Sequence, residues 1–148
     1  MAVIHQRASV AQTRSVTFGY VNDYRHVPEW MFGVTKFEPT TDVTFGLGAI
    51  FDGAMTLGPK SFKATFECTE WIENELIVLT SVKGFDSATR WVFTDSADGK
   101  GTDVEAEFTY NLPGGLAGRA LGAIIEPLVG QGVRHTESTL KEKVEALG

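Results

Sequence analysis

The 148-residue chain carries a single cysteine, Cys68, so no disulfide within the chain can hold it together. At this length roughly 70% of the unfolded surface can be buried, and one hydrophobic core suffices without a staple. A lone thiol fits a reducing compartment, and a cytoplasmic location is the expectation. Basic residues are also in deficit. Lys and Arg number 13 against 19 Asp and Glu, a net charge of −6, with no basic stripe. Such a domain is a poor candidate for binding nucleic acid or an anionic membrane. No long uncharged apolar run exists either. The most apolar stretch, Leu112 to Val133, is interrupted by Arg119, Glu126 and Pro127, whereas a bilayer span wants about 20 nearly uncharged residues. Met1 to Val10 lacks the apolar segment of a secretory signal. No Ser-His-Asp order, phosphate loop, zinc or flavin motif is visible, so neither a cofactor nor a metal is expected. His5, His26 and His135 lie in three separate segments without ligand spacing.

What the chain has in quantity is aromatic surface: ten Phe, three Trp and three Tyr. These bring large apolar area with few rotamers, which suits a core or a ligand pocket. Val3 to Ala11 reads as a first strand. Thr13 or Ser15 caps a short helix with Val16, Phe18, Tyr20 and Val21 as its apolar positions, and Asn22-Asp23 ends it. A second short helix holds Pro28 and closes at Trp30-Met31. From Val34 the period changes to strands: Val34–Thr41, Ala49–Leu57, Ser61–Trp71, Leu76–Val82, Phe85–Thr94 and Thr102–Leu112. Turns fall at Gly46/Gly48, Gly58-Pro59, Glu73-Asn74, Lys83-Gly84 and Asp98–Gly101. Two strands alternate cleanly. Phe62, Ala64, Phe66 and Cys68 oppose Lys63, Thr65, Glu67 and Thr69, while Val104, Ala106, Phe108 and Tyr110 oppose Asp103, Glu105, Glu107 and Thr109. Gly118 to Leu147 then has helical spacing, with Pro127 expected to bend it.

Strands at 10–15-residue intervals with tight turns make an antiparallel meander in one α+β domain, residues 1–148, without linker or repeat. Each strand has essentially one apolar face, and only one long helix remains to cover it. A sheet of six or seven strands is far wider than a helix of about 10 Å diameter. The sheet must therefore curl around the helix, and curling leaves space between them.

At this point the chain resembles the polyketide cyclase/dehydrase and lipid-transport family of the START-like superfamily, which includes the plant pollen-allergen and hormone-receptor fold. The residues that carry the resemblance are Asp23 to Trp30, the Gly46-Leu47-Gly48 turn, Trp91-Val92-Phe93, Gly101-Thr102, and Tyr110-Asn111-Leu112-Pro113-Gly114-Gly115. They span nearly the whole chain. The resemblance implies a helix-grip fold: a seven-stranded antiparallel sheet around a C-terminal helix, closed at one end by two short helices. Its members bind lipids, hormones, polyketides or other hydrophobic molecules, and some are cyclases or aromatases. The matching residues are turn glycines and closing aromatics, which specify fold rather than function. His26 stands where the family often has Asn, so it inherits no role.

The expected pocket wall comprises Phe51, Met55, Phe62, Phe66, Trp91, Phe93, Phe108 and Tyr110 from strands, with Leu121, Gly122, Ile125, Leu128 and Val129 from the helix. The plainer reading of each apolar side chain is core filling. Gly118, Gly122, Gly130 and Gly132 are costly inside a helix. They leave room for a ligand, let the helix move, or seat its backbone against an aromatic ring. Gly114-Gly115 ahead of the helix lacks a nucleotide fingerprint. Trp30, Met31 and Phe32 serve as a plug more readily than as a lid or partner patch. Cys68, in an apolar row, reads as a small buried hydrophobe. Asp103, Glu105 and Glu107 read as a solvated convex face. Arg90 and Asp52 lie on polar sides that only a register break would turn inward.

Three functions follow. The first is carriage or sensing of a hydrophobic small molecule such as a lipid or polyketide-like compound. The second is an enzyme of the cyclase/aromatase or dehydratase type, whose only acid–base candidates are Tyr110, His135 and Arg90. The third is a partner-binding module with a filled core, which predicts no cavity of about 300 Å³ or more and an exposed patch at Trp30 and Phe32. Monomer and homodimer both stay open.

Overall fold

Residues 2–58, 60–111 and 115–147 are described by the computed structural model. The alternation of residues 34–111 becomes six consecutive antiparallel strands: β2 (Val34–Pro39), β3 (Ile50–Leu57), β4 (Lys60–Ile72), β5 (Leu76–Gly84), β6 (Ser87–Asp95) and β7 (Thr102–Tyr110). β1 (Ala2–Val10) pairs with β7, so the sheet order is β1-β7-β6-β5-β4-β3-β2. Helices α1 (Arg14–Asn22) and α2 (Val27–Trp30) follow β1, joined by a single 3₁₀ turn at Tyr24–His26. Helix α3 (Gly115–Glu145) runs through Pro127 as one element and packs along β1, touching α1 and α2. This is the curled sheet and C-terminal helix expected of a helix-grip fold. Each expected strand is present with its ends shifted by at most two residues; β5 runs on through the expected Lys83-Gly84 turn, and Pro59 lies outside the described residues.

Local chemistry sets the corners. Thr13 is the α1 cap, accepting from the Val16 amide at 3.4 Å. The apolar face of α1 differs from its expected composition: Val16 is exposed and Thr17 is fully buried in its place. The Thr17 hydroxyl donates to the Thr13 carbonyl at 2.8 Å, so the buried oxygen is satisfied and Thr17 behaves as a small apolar residue. At the free edge of β1, two carboxylates of α3 take the unpaired amides. Arg7 N–H donates to Glu137 and Ala11 N–H donates to Glu145, each at 2.9 Å. The helix thus closes an edge that would otherwise invite another strand.

Asp23 caps the 3₁₀ turn. Its carboxylate accepts from the Arg25 amide and from Arg25 Nε, both at 3.0 Å, and from Arg25 Nη2 at 2.6 Å. The Arg25 side-chain hydrogen bonds, aided by the Arg25 amide and the Arg25 and His26 charges, hold this carboxyl below its usual range against the opposing effect of burial. A carboxyl lowered on folding stabilises above its unfolded pKa of about 3.9 and loses that stabilisation as pH falls through the folded value. Asp23→Asn is therefore expected to be less stable than the parent at pH 7, with the difference shrinking toward pH 3. Urea midpoints at the two pH values check this, and a gap independent of pH contradicts it.

The core is concentrated at one end. Phe18 and Val21 of α1, Trp30 of α2, Trp91 and Phe93 of β6, Val104 and Ala106 of β7, and Leu140 and Val144 of α3 are all buried together. A smaller cluster of Ala49, Phe51 and Cys68 lies under β3 and β4. The other end of the concave face is not filled in this way.

Candidate functional site

Cross-strand register arranges the inward side chains of the central strands in rows. Ile77, Trp91, Ala106 and Gln6 form an inner row, and Leu79, Thr89, Phe108 and Ile4 the next. Ser87 and Tyr110 pair in an outer row. Successive rows lie roughly 7 Å apart, two residues along a strand. The inner row abuts the core: Trp30 stands edge-on to Trp91, ring centroids 5.1 Å apart, and is 1% exposed. Trp30 is thus a plug and not an exposed patch. Beyond it a cavity of about 200 Å³ opens under the concave face. That volume is below the roughly 300–1,000 Å³ of pockets for drug-sized ligands.

Among the expected wall residues, Met55, Phe62, Phe66, Trp91, Phe108, Tyr110 and Val129 border this cavity. Four others lie elsewhere. Phe93 sits deeper in the core, edge-on to Phe18 at 5.1 Å. Phe51 belongs to the smaller cluster, stacked on Phe37 at 4.7 Å. Gly122 is buried away from the wall, and Leu128 is half-buried outside it, close to Gly58. The alternation puts Phe51 and Phe93 inward, but there the inward positions fill the core clusters instead of facing space. The side chains of Leu121 and Ile125 lie outside the described residues.

The acid–base candidates do not converge. Tyr110 alone borders the cavity. Burial, then the Glu126 charge, pushes its phenol above the usual value, so it stays a neutral donor. Arg90 points outward and pairs with Glu70 at 3.7 Å. His135 is exposed, with its ring 5.5 Å from that of Phe32. Asp52 stays on the polar side of β3, accepting from the Thr65 hydroxyl at 2.9 Å. Cys68 is buried, and burial raises its thiol pKa, so it is an inert apolar residue. Asp103 pairs with Arg7 at 3.0 Å on the convex face. No metal-binding cluster occurs among the described residues, and no described helix is long and apolar enough to cross a membrane.

Sequence reasoning missed part of the wall. Phe37 turns inward because β2 carries a register shift between Val34 and Lys36, which no alternation count reveals. From the turn before β6, Phe85 packs tilted against Phe62, ring centroids 4.6 Å apart, and stacks on Tyr110 at 6.2 Å. Ile77 and Leu79 were legible as buried but not as cavity-facing. Thr89 was missed, although its spacing places it in the row of Trp91 and Phe93. At the rim, Phe32 and Gly132 meet. A Cβ on Gly132 would lie 2.6 Å from the Phe32 ring, and the Phe32 amide donates to Thr136 at 3.1 Å. Of the expected roles for helix glycines, backbone packing on an aromatic ring holds at Gly132. Gly130 meets only the tip of Arg134, at 4.0 Å, and the surroundings of Gly118 lie outside the described residues.

Comparison with known proteins agrees with this geometry. Residues 1–145 match the family described as polyketide cyclase/dehydrase and lipid transport. Among solved structures, TTHA0849 of Thermus thermophilus superposes with a TM-score of 0.83 at 19% identity, covering 99% of both chains. A START superfamily protein of Mycobacterium smegmatis gives 0.75 at 16% identity, again over 99% of each chain. Ara h 8.0201 gives 0.63 at 13% identity over 98% of each. At these identities the likeness is one of fold. No protein of curated function matches the chain in sequence.

Proposed function

Because the chain belongs to the polyketide cyclase/dehydrase and lipid-transport family, we propose that it carries or senses a small hydrophobic molecule held under the concave sheet. The observation that supports this most is the cavity itself, walled by aromatic and aliphatic side chains and partly open to the surface. Each 100 Å² of apolar ligand surface buried there contributes about 2.5 kcal/mol, before the cost of association. A volume of about 200 Å³ favours a compact ligand over a long-chain lipid. The wall's charged members among the described residues, Lys36 and Lys63, are exposed and share the outward row with Ala54. Tyr110 supplies a neutral donor in the outer row.

A cyclase or dehydratase is the weaker reading. Such chemistry needs acid–base groups that converge on a substrate, and of the three candidates only Tyr110 reaches the cavity. The filled-core partner module keeps its limit on cavity size, since about 200 Å³ is below about 300 Å³, but loses the exposed patch it required at Trp30.

Native mass spectrometry of gently purified protein, with extraction of anything released on denaturation, tests the proposal. The expected result is a stoichiometric adduct of low mass. No adduct, together with no thermal stabilisation by fatty acids, quinones or aromatic polyketides, would favour the partner module.

A further inference from the structure

Three buried side-chain polar atoms have no hydrogen-bond partner among the described residues: Tyr20 Oη, Trp30 Nε1 and Thr89 Oγ1. Tyr20 stacks on His26 at 4.5 Å, away from the cavity. Trp30 and Thr89 both border it. A sealed, unpaired polar group costs free energy that a partner would recover. Two such groups at one end of an apolar cavity are a recognition feature.

Their placement follows from the rows. Thr89 lies between Leu79 and Phe108, its cross-strand partners. Trp91, two residues along the same face, carries the ring against which Trp30 stands edge-on. The Phe108 ring is 5.7 Å from that of Trp91. The two residues that carry the unpaired atoms therefore both neighbour Trp91, where the cavity meets the plug. Gln6, in the inner row, adds a neutral amide.

We propose that this inner end binds a neutral hydrogen-bond acceptor on the ligand, a ketone or hydroxyl oxygen, through the Thr89 hydroxyl and the Trp30 indole N–H. The indole only donates, so its partner must accept. Thr89 Oγ1 is sealed as the structure stands, so it meets a ligand by rotation about its single side-chain torsion. Charge is excluded there: Ile77, Leu79, Trp91 and Phe108 offer no counter-ion, and an unpaired carboxylate would be buried at high cost. The ligand class is thus a compact apolar molecule with a neutral oxygen at its buried end, and not a fatty acid inserted carboxylate-first. This inference rests on the binding function proposed above and specifies its ligand.

Three probes of one tricyclic size separate the cases: fluorene, 9-fluorenone and fluorene-9-carboxylate, with affinities from equilibrium dialysis against the full-length protein. The parent is expected to bind fluorenone about tenfold more tightly than fluorene, which corresponds to about 1.4 kcal/mol, and to bind the carboxylate more weakly than the ketone. Thr89→Val, an isosteric change, should reduce the preference for fluorenone over fluorene at least threefold. It should leave the thermal midpoint of the ligand-free protein equal or higher, since an unpaired hydroxyl is removed. Trp30→Phe, which keeps an aromatic plug, should also reduce the preference. Equal binding of fluorene and fluorenone would overturn the inference and leave the binding function standing. So would a ketone preference unaltered in both variants, or tightest binding of the carboxylate. Failure to bind any of the three would overturn both.

Discussion

Trp30→Ala is expected to lower stability by about 3–5 kcal/mol, the usual cost of removing a large aromatic side chain from a core. Folding free energies are about 5–15 kcal/mol, so most of the reserve would go. The size of the effect comes from position. Trp30 ends a helix of only four residues, which has little stability of its own. Its ring is 1% exposed and stands edge-on to Trp91. Around that contact gather Phe18 and Val21 of α1, and Leu140 and Val144 of α3. Removing the ring opens a void between core and cavity that this end of the sheet cannot collapse to fill. Urea denaturation followed by far-UV circular dichroism reads the loss as a lowered midpoint. A cost under about 1 kcal/mol would mean that the plug is not the keystone of this end, because core truncations of this kind are rarely so mild.

The second large effect concerns binding. Ala64→Phe is expected to abolish uptake of a compact apolar ligand, at least tenfold in affinity, while the protein stays folded. Ala64 borders the cavity between Phe62 and Phe66 on β4, opposite Gly53 on β3. Small residues at both positions leave a hollow in an otherwise aromatic wall. A Cβ placed on Gly53 would approach the Phe66 ring to 3.1 Å, so that side of the hollow is already tight. Ala64 carries its Cβ without strain, and a ring added there projects into a space of about 200 Å³. Strands accept Phe readily, and overpacking costs about 1–3 kcal/mol, less than a domain's usual reserve. Dialysis of any native adduct, or of fluorenone, against parent and variant makes the comparison. Undiminished uptake by a folded Ala64→Phe protein would place the ligand elsewhere than under β3 and β4.

Much of the fold was legible because it depends on short-range rules. The alternation of Val104, Ala106, Phe108 and Tyr110 identifies an inward row, and β7 presents these residues inward. The turn at Asp98–Gly101 needed only its residue types, and Gly99 adopts φ +71° there. Thr13 and Asp23 were readable as helix-end residues from their side-chain oxygens. The cavity wall was less legible, because alternation reports which way a side chain points and not what it meets. Trp91 and Phe93 are two residues apart on one face. One borders the cavity and the other is sealed in the core. Phe37 joined the wall through a register shift in β2 that leaves no mark in the sequence pattern.

By itself, the sequence determined an antiparallel meander with one inward face per strand, two short helices behind the first strand, and a single long helix to cover the face. Each follows from periodicity, caps and turns within a few residues of one another. The tertiary structure alone decided where the core stops and the cavity starts. It set that boundary at Trp30, which reaches the distant Trp91 of β6, and it left Trp30 Nε1 and Thr89 Oγ1 without partners beside the cavity. The physical reason is that space and hydrogen-bond satisfaction belong to sets of residues distant in the chain. No local pattern encodes the gap between a curled sheet and the helix it grips.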